Sequence, residues 1–261
     1  MILPCKLEYF MKIGSNLIAY IQRFGVLAGY GLYLNTKISR GLRAIRVPGM
    51  TSSIYMRTGT SDRSAFNEVI VKRWYDHPFP GGMPRLIVDA GANVGYASVR
   101  FAELYPQADI IAIEPDAENF EVIKRNISVY PKVSALRCGV WPRTATLVIE
   151  NPEAKSWAFR VREARSGEAG FEAVGLGELA EKHPSGCIDL LKLDIESSEK
   201  ELFEDPNCHR WLSRTKMIFV ELHDRMKPGC TAAMEKAIAP YGFERMSHGS
   251  NLVLIRTGVD R

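Results

Sequence analysis

The stretch that decides the fold runs from Arg85 to Pro115. It opens on Arg85-Leu86-Ile87-Val88-Asp89, a short apolar run of the kind that forms a buried parallel strand. The run passes directly into Ala90-Gly91-Ala92-Asn93-Val94-Gly95. A helical pattern, YASVRFAELY over 96–105, follows and is stopped by Pro106. A second apolar run, Ile110-Ile111-Ala112-Ile113, then ends at Glu114-Pro115. Strand, glycine turn, helix and strand make a βαβ unit, whose crossover is right-handed.

Each part of this unit has a chemical use. Gly91 at the strand end permits a tight turn and close approach of a ligand to the backbone. Gly95 opens the helix, where free N–H groups gather, and Asn93 lies between them. Glu114 follows Gly95 by 19 residues, the place of an acid that accepts hydrogen bonds from a ribose diol. A dinucleotide site wants G-x-G-x-x-G to seat a pyrophosphate. Here the turn reads D-A-G-A-N-V-G, with two glycines only. A carboxylate at Asp89 repels phosphate and suits a ligand bearing an ammonium or a sulfonium, and S-adenosylmethionine bears both. A nicotinamide-dependent oxidoreductase is the rival enzyme class, and the missing third glycine counts against it.

Outward from this unit, VSALRC (133–138), IDLLKL (188–193) and KMIFVEL (216–222) read as further strands. FERMSHG and NLVLIRT read as a closing hairpin turning at 248–251, and TATLVIEN (144–151) as a hairpin strand. Trp157, Phe159 and Val161 alternate as in an extended segment. In open α/β sheets, ligands bind beyond the carboxyl ends of the strands. That rule brings Asp89, Glu114, Asp194, Glu196, Glu221 and His223 to one rim. His223, with an ordinary pKa near 6.5, is the first choice for a general base, and Asp194, Glu196 and Glu221 are the further catalytic candidates. Asp194, Glu196, Glu221 and His223 also offer the oxygen and imidazole ligands of a divalent metal site, although no sequence-local ligand pair supports one.

LIVDAGANVGYASVRFA, IIAIEPDAENFEVIKRNI, CIDLLKLDIESSEKELF and MIFVELHD stand in the order and spacing of the FkbM-type methyltransferases. The resemblance covers about residues 50–257, and RTGTSDRSAF (57–66) also resembles the family. It implies a Rossmann-like, seven-stranded class I methyltransferase sheet using S-adenosylmethionine. The implied activity is methyl transfer to a hydroxyl of a sugar, a glycan or a related small molecule. The resemblance further implies cofactor contacts by Asp89, Gly91, Asn93, Gly95, Glu114 and Asp194, with Val140 approaching the adenine. Ser61, Asp62 and Trp157 are candidates to meet the acceptor. One departure stands out: the family pattern D-[IV]-E-G-A-E is here Asp194-Ile195-Glu196-Ser197-Ser198-Glu199, serine in place of glycine. The departure keeps open a rival reading, a binding protein that holds the fold without turnover.

The chain has 261 residues, 46% hydrophobic and 25% charged, with a net charge of +4. These values exclude a disordered chain and a supercharged nucleic-acid tail. The charge is uneven: residues 1–88 carry 12 Lys and Arg against 4 Asp and Glu, and residues 89–261 carry 22 against 26. We expect three segments: a basic amphipathic helical segment over 1–42, a β-hairpin and helix over 43–83, and the methyltransferase domain over 84–261. The hairpin is RAIRVP and SIYMR about Pro48-Gly49, and its helix runs from about Ser64 to Tyr75 behind a Ser61 or Asp62 cap. Gly25, Gly29 and Gly31 weaken the second half of the front as a helix. A basic, amphipathic front can lie on an anionic membrane surface or near a lipid-linked acceptor, or pack as a cap helix on the main domain. No run reaches the roughly 18 apolar residues of a spanning helix, and no signal-peptide cleavage pattern is evident. Five cysteines without a C-x-x-C pair fit a reduced, cytoplasmic setting. Nucleic acid is not an expected partner, since no N-P-P-Y-type motif occurs and the body of the chain is acidic.

Overall fold

A computed structural model describes residues 16–37, 41–151, 153, 160–196 and 198–257. The chain divides into two compact units, Met1–Trp74 and Tyr75–Arg261. The division precedes the Pro/Gly loop at 77–84 for a packing reason. Tyr75 sets its ring edge-on to Phe101 and Phe219, and Phe79 packs against Tyr105, all within the second unit.

In the first unit, residues 16–24 form helix α1 and Val26–Asn35 form α2, joined at Gly25 with φ 82°. Of the glycines that argue against a second helix, Gly29 is what seats it. A Cβ on Gly29 would lie 2.4 Å from the Tyr20 carbonyl oxygen, so α2 can cross α1 this closely only without a side chain there. Two antiparallel strands follow as expected, β1 (Gly41–Ile45) and β2 (Ile54–Thr58), paired Ile45 to Ile54. The next helix differs from the expected one. It is a short α3 (Asp62–Phe66) running into a π-helical turn (Asn67–Val71), and Ser61 occupies the N-cap without a side-chain capping bond. The tertiary contact of Tyr20 with this turn, its hydroxyl donating to Asn67 Oδ1 at 2.6 Å, outweighs the regular helical pattern.

The second unit carries a seven-stranded sheet. Its strands are β3 (Leu86–Ala90), β4 (Asp109–Ile113), β5 (Val133–Leu136), β10 (Leu190–Leu193), β11 (Met217–Val220), β12 (Phe243–His248) and β13 (Asn251–Arg256). The order is β12-β13-β11-β10-β3-β4-β5. β13 is antiparallel to both β11 and β12, so it alone runs against the rest, the class I methyltransferase arrangement. The central strands β3, β10 and β11 are buried at every position, as their largely apolar runs require, with Asp89 and Lys192 the charged exceptions. The crossovers include α4 (Tyr96–Leu104) and α5 (Ala117–Ile127) on one side of the order, and α7 (Glu199–Glu204) and α9 (Cys230–Ile238) on the other. Two short helices, α6 (Leu176–Lys182) and α8 (His209–Leu212), complete the set.

A smaller sheet was not foreseen as a unit. It comprises β6 (Gly139–Trp141), β7 (Ala145–Ile149), β8 (Val161–Glu163) and β9 (Phe171–Gly175), in the order β6-β9-β7-β8. It has its own small core of Trp141, Leu147 and Ala173. Trp157 lies outside the described residues.

Candidate active site

The chain goes outward from β3 to β4 and β5, then returns to the other side of β3 as β10. The order therefore reverses between β3 and β10, and the carboxyl ends of the strands at such a point are where open α/β sheets bind ligands. The backbones at that point are in contact. A Cβ on Gly91 would fall 1.7 Å from the Asp194 carbonyl oxygen, and Gly91 has φ 76°. Only glycine satisfies both demands. Gly95, at φ 82°, is the N-cap of α4, and Asn93 takes the left-handed conformation at φ 52°. The turn is fastened to the end of β4, because Gly91 N and Ala92 N donate to Ile113 O at 3.0 and 2.9 Å.

Glu114 sits beside this turn, almost fully buried. It accepts from Asn93 N at 2.8 Å, and from Asp116 N and Asn119 Nδ2 at 3.2 Å each. Burial raises its pKa to about 7, although these three donors pull the other way. A carboxylate has about four acceptor positions, so three donors leave capacity for one more. A buried carboxylate with acceptor capacity to spare, next to a glycine turn, fits a hydroxyl of a ribose diol.

Asp89 has a different task from the one expected. It is fully buried, and its Oδ2 accepts from Ser98 Oγ at 2.6 Å. Its Oδ1 faces Lys192 Nζ at 3.4 Å. Asp89 therefore braces the turn from behind instead of meeting a cationic ligand. Lys192, inside β10, also lies 3.6 Å from Asp194 Oδ2 and donates to Gly91 O. Burial alone would lower its pKa, but the carboxylates of Asp89 and Asp194 outweigh burial and raise it. Sequence reasoning passed over Lys192, yet one charged residue in the apolar run IDLLKL was a visible signal.

Asp194, Glu196 and His223 meet at the ends of β10 and β11. His223 Nε2 is 3.5 Å from Glu196 Oε2 and 3.7 Å from Asp194 Oδ1. His223 Nδ1 bonds Glu199 Oε1 at 3.0 Å, and the same oxygen accepts from Ile195 N at 3.0 Å. Glu199 is fully buried and is a second residue missed from sequence, although it closes the motif Asp194–Glu199. Burial would lower the His223 pKa, but the Glu199 bond and three surrounding carboxylates raise it to about 9. Burial first, and then Asp194, raise Glu196 to about 7. The left-handed residue of this turn is Glu196 itself, at φ 53°. Ser197, the residue in place of the family glycine, lies outside the described residues.

The remaining candidates are not drawn to the cluster. Glu221 accepts from Ser250 Oγ at 3.2 Å, and burial followed by Asp194 raises its pKa. Asp194, Glu196 and His223 each offer a ligand atom within 4.8 Å of the others, a set that does not include Glu221. Val140 is packed in the main core, so its side chain is taken up there. In the first unit, Asp62 is fully buried, holding the Arg57 guanidinium at 2.8 and 3.0 Å and Arg57 N at 2.8 Å. That ion pair ties β2 to α3 and corrects the expectation that Asp62 meets an acceptor. Ser61 beside it is exposed.

Three similarities accompany this geometry. Methyltransferase sdnD of Sordaria araneosa is 29% identical over 180 residues, covering 56% of this chain and 69% of that protein. Methyltransferase 1 of Beauveria bassiana is 34% identical over 85 residues, and the match spans 31% of this chain and a third (33%) of that protein. The crystal structure of a methyltransferase from Geobacter sulfurreducens is 18% identical with a TM-score of 0.39, covering 67% of this chain and 71% of that one. Residues 89–245 match the Methyltransferase FkbM domain from the glycine turn to the closing hairpin, so the chain belongs to that family and is an S-adenosylmethionine-dependent methyltransferase.

Proposed function

We propose that the chain methylates a hydroxyl group of a sugar, a glycan or a related small molecule. One observation carries the reading. A cluster able to take a proton, Asp194, Glu196 and His223, is joined through the Gly91–Asp194 backbone contact to the cofactor turn. When bound, S-adenosylmethionine supplies an electrophilic methyl group on a sulfonium. Gly91, Asn93 and Gly95 would shape the turn that holds it, Glu114 would accept from its ribose, and residues 139–141 would be the segment to meet the adenine. Glu196 is placed to take the proton of the acceptor hydroxyl; methyl transfer to that oxygen would break the sulfonium–methyl bond and release the neutral thioether, S-adenosylhomocysteine. Three carboxylates surround His223 and favour its protonated form, which suits a fixed cation better than the general base expected from sequence. It acts as a fixed cation that keeps Asp194 and Glu196 in place, with Glu199 orienting it.

The test is mass-detected methyl transfer to a panel of glycans and alcohols. Glu196→Gln and His223→Ala should each lower turnover by about 10²-fold, while cofactor-induced thermal stabilisation stays. Near-native turnover in Glu196→Gln would remove the base assignment. Cofactor binding with no hydroxyl methylated by the wild type would favour a binding protein instead. The 4.8 Å spacing of three ligand atoms supports a second reading, a divalent cation at the same cluster. Turnover unchanged by EDTA would remove it.

A further inference from the structure

The outer face of α2 has the wrong chemistry for water. Its inner face, Gly29, Leu32 and Tyr33, is buried, because Gly29 presses against the backbone of α1 at Tyr20. That packing turns Val26, Leu27 and Tyr30 outward, at 67%, 90% and 50% exposure. Ala28 and Gly31 complete the exposed positions, and Ile18 on α1 adds 55%. A helix on the surface of a globular unit ordinarily shows polar residues on its outer face. From Val26 to Leu34, α2 has no charged, amide or hydroxylic side chain other than its tyrosines.

Cations bracket this apolar face. Arg23 precedes α2, with Nε bonded to Val71 O, and Lys37 follows it, its Nζ 4.3 Å from the Tyr33 ring centre. Arg43 reaches back to Asn35 at the end of the helix. Over residues 1–74 the sequence has 11 Lys and Arg against 3 Asp and Glu, a net charge of +8. An apolar helix face with tyrosine on it and basic residues at both ends suits a bilayer interface. The apolar side chains enter the acyl boundary and the cations meet anionic headgroups. At about 15 Å long, α2 is sized to lie in that plane. No helix among the described residues is long and apolar enough to cross a membrane.

We propose that the outer face of α2, with Ile18 of α1, is a docking surface for an anionic lipid bilayer. The basic charge selects this occupant over a second copy of the chain, because two copies would bring two units of charge +8 together.

The experiment is flotation of the full chain with phosphatidylglycerol vesicles and with phosphatidylcholine vesicles. Binding should be confined to the anionic vesicles and weaken at high salt. The double variant Leu27→Glu, Tyr30→Glu should lower the bound fraction by about tenfold. It should leave thermal unfolding and cofactor-induced stabilisation unchanged. Binding to neither vesicle, equal binding to both, or full binding by the folded double variant would each overturn the proposal. So would a dimer seen by light scattering that the double variant dissolves, since a second copy would then cover the face. These readouts do not involve methyl transfer, so they succeed or fail independently of the enzymatic reading.

Discussion

Glu114 is a carboxylate that nearly does without its charge. Burial raises it to about 7, against an ordinary value near 4.5. In the free protein the raised value means that Glu114 contributes stability below pH 4.5 which is lost as pH rises through about 7. Cofactor binding has the opposite sign, because ribose hydroxyls donate to the ionised form. We expect cofactor affinity to fall about tenfold between pH 8 and pH 6 in the wild type. Glu114→Gln should bind more weakly and lose that part of the slope, and calorimetric titration of both proteins at three pH values checks this. Among single residues, the glycine turn and the acid beside it were legible, because they have a fixed spacing. Lys192 and Glu199 were not, because their partners Asp89 and His223 are brought near only by the parallel register and the turn after β10. His223 was legible as a rim residue, but the carboxylates that raise its pKa were not. Three carboxylates from one six-residue segment surround it, and no spacing rule displays that.

At the scale of elements, the junction of β3 and β10 governs the site. The Asp194 carbonyl oxygen occupies the space that a methyl group on Gly91 would need. Gly91→Ala adds a clash with main chain to a left-handed conformation, so both strand ends must shift. We expect a loss of about 2–4 kcal/mol of stability, read from urea unfolding, together with loss of cofactor binding. Strand positions were legible here because buried parallel strands are continuous apolar runs. The smaller sheet was not, because β6 is three residues long and pairs with β9 across a long gap in sequence. The π-helical turn at Asn67–Val71 was equally invisible, since Phe66, Val69 and Ile70 have ordinary helical spacing and the widening comes from the Lys72 N to Asn67 O bond.

At the scale of the whole molecule, the split of charge that the sequence displays coincides closely with the split of structure. Acids are scarce in the unit that ends at Trp74, 3 against 11 Lys and Arg, and the acids of the site belong to the unit that starts at Tyr75. The boundary itself was placed later from sequence, because a Pro/Gly loop is a strong local signal whereas aromatic packing by Tyr75 is a tertiary one. Lys192 has a consequence of another kind. One ammonium, buried in the central strand, is the counter-charge of the fully enclosed Asp89, while Asp194 retains some access to solvent. Loss of the lysine alone would strand a carboxylate in the middle of the sheet, and loss of the aspartate alone would strand an ammonium there. The two charges thus form one unit of the interior: replacing both by apolar residues should cost the fold less than replacing either alone, which urea unfolding of the double and single variants measures.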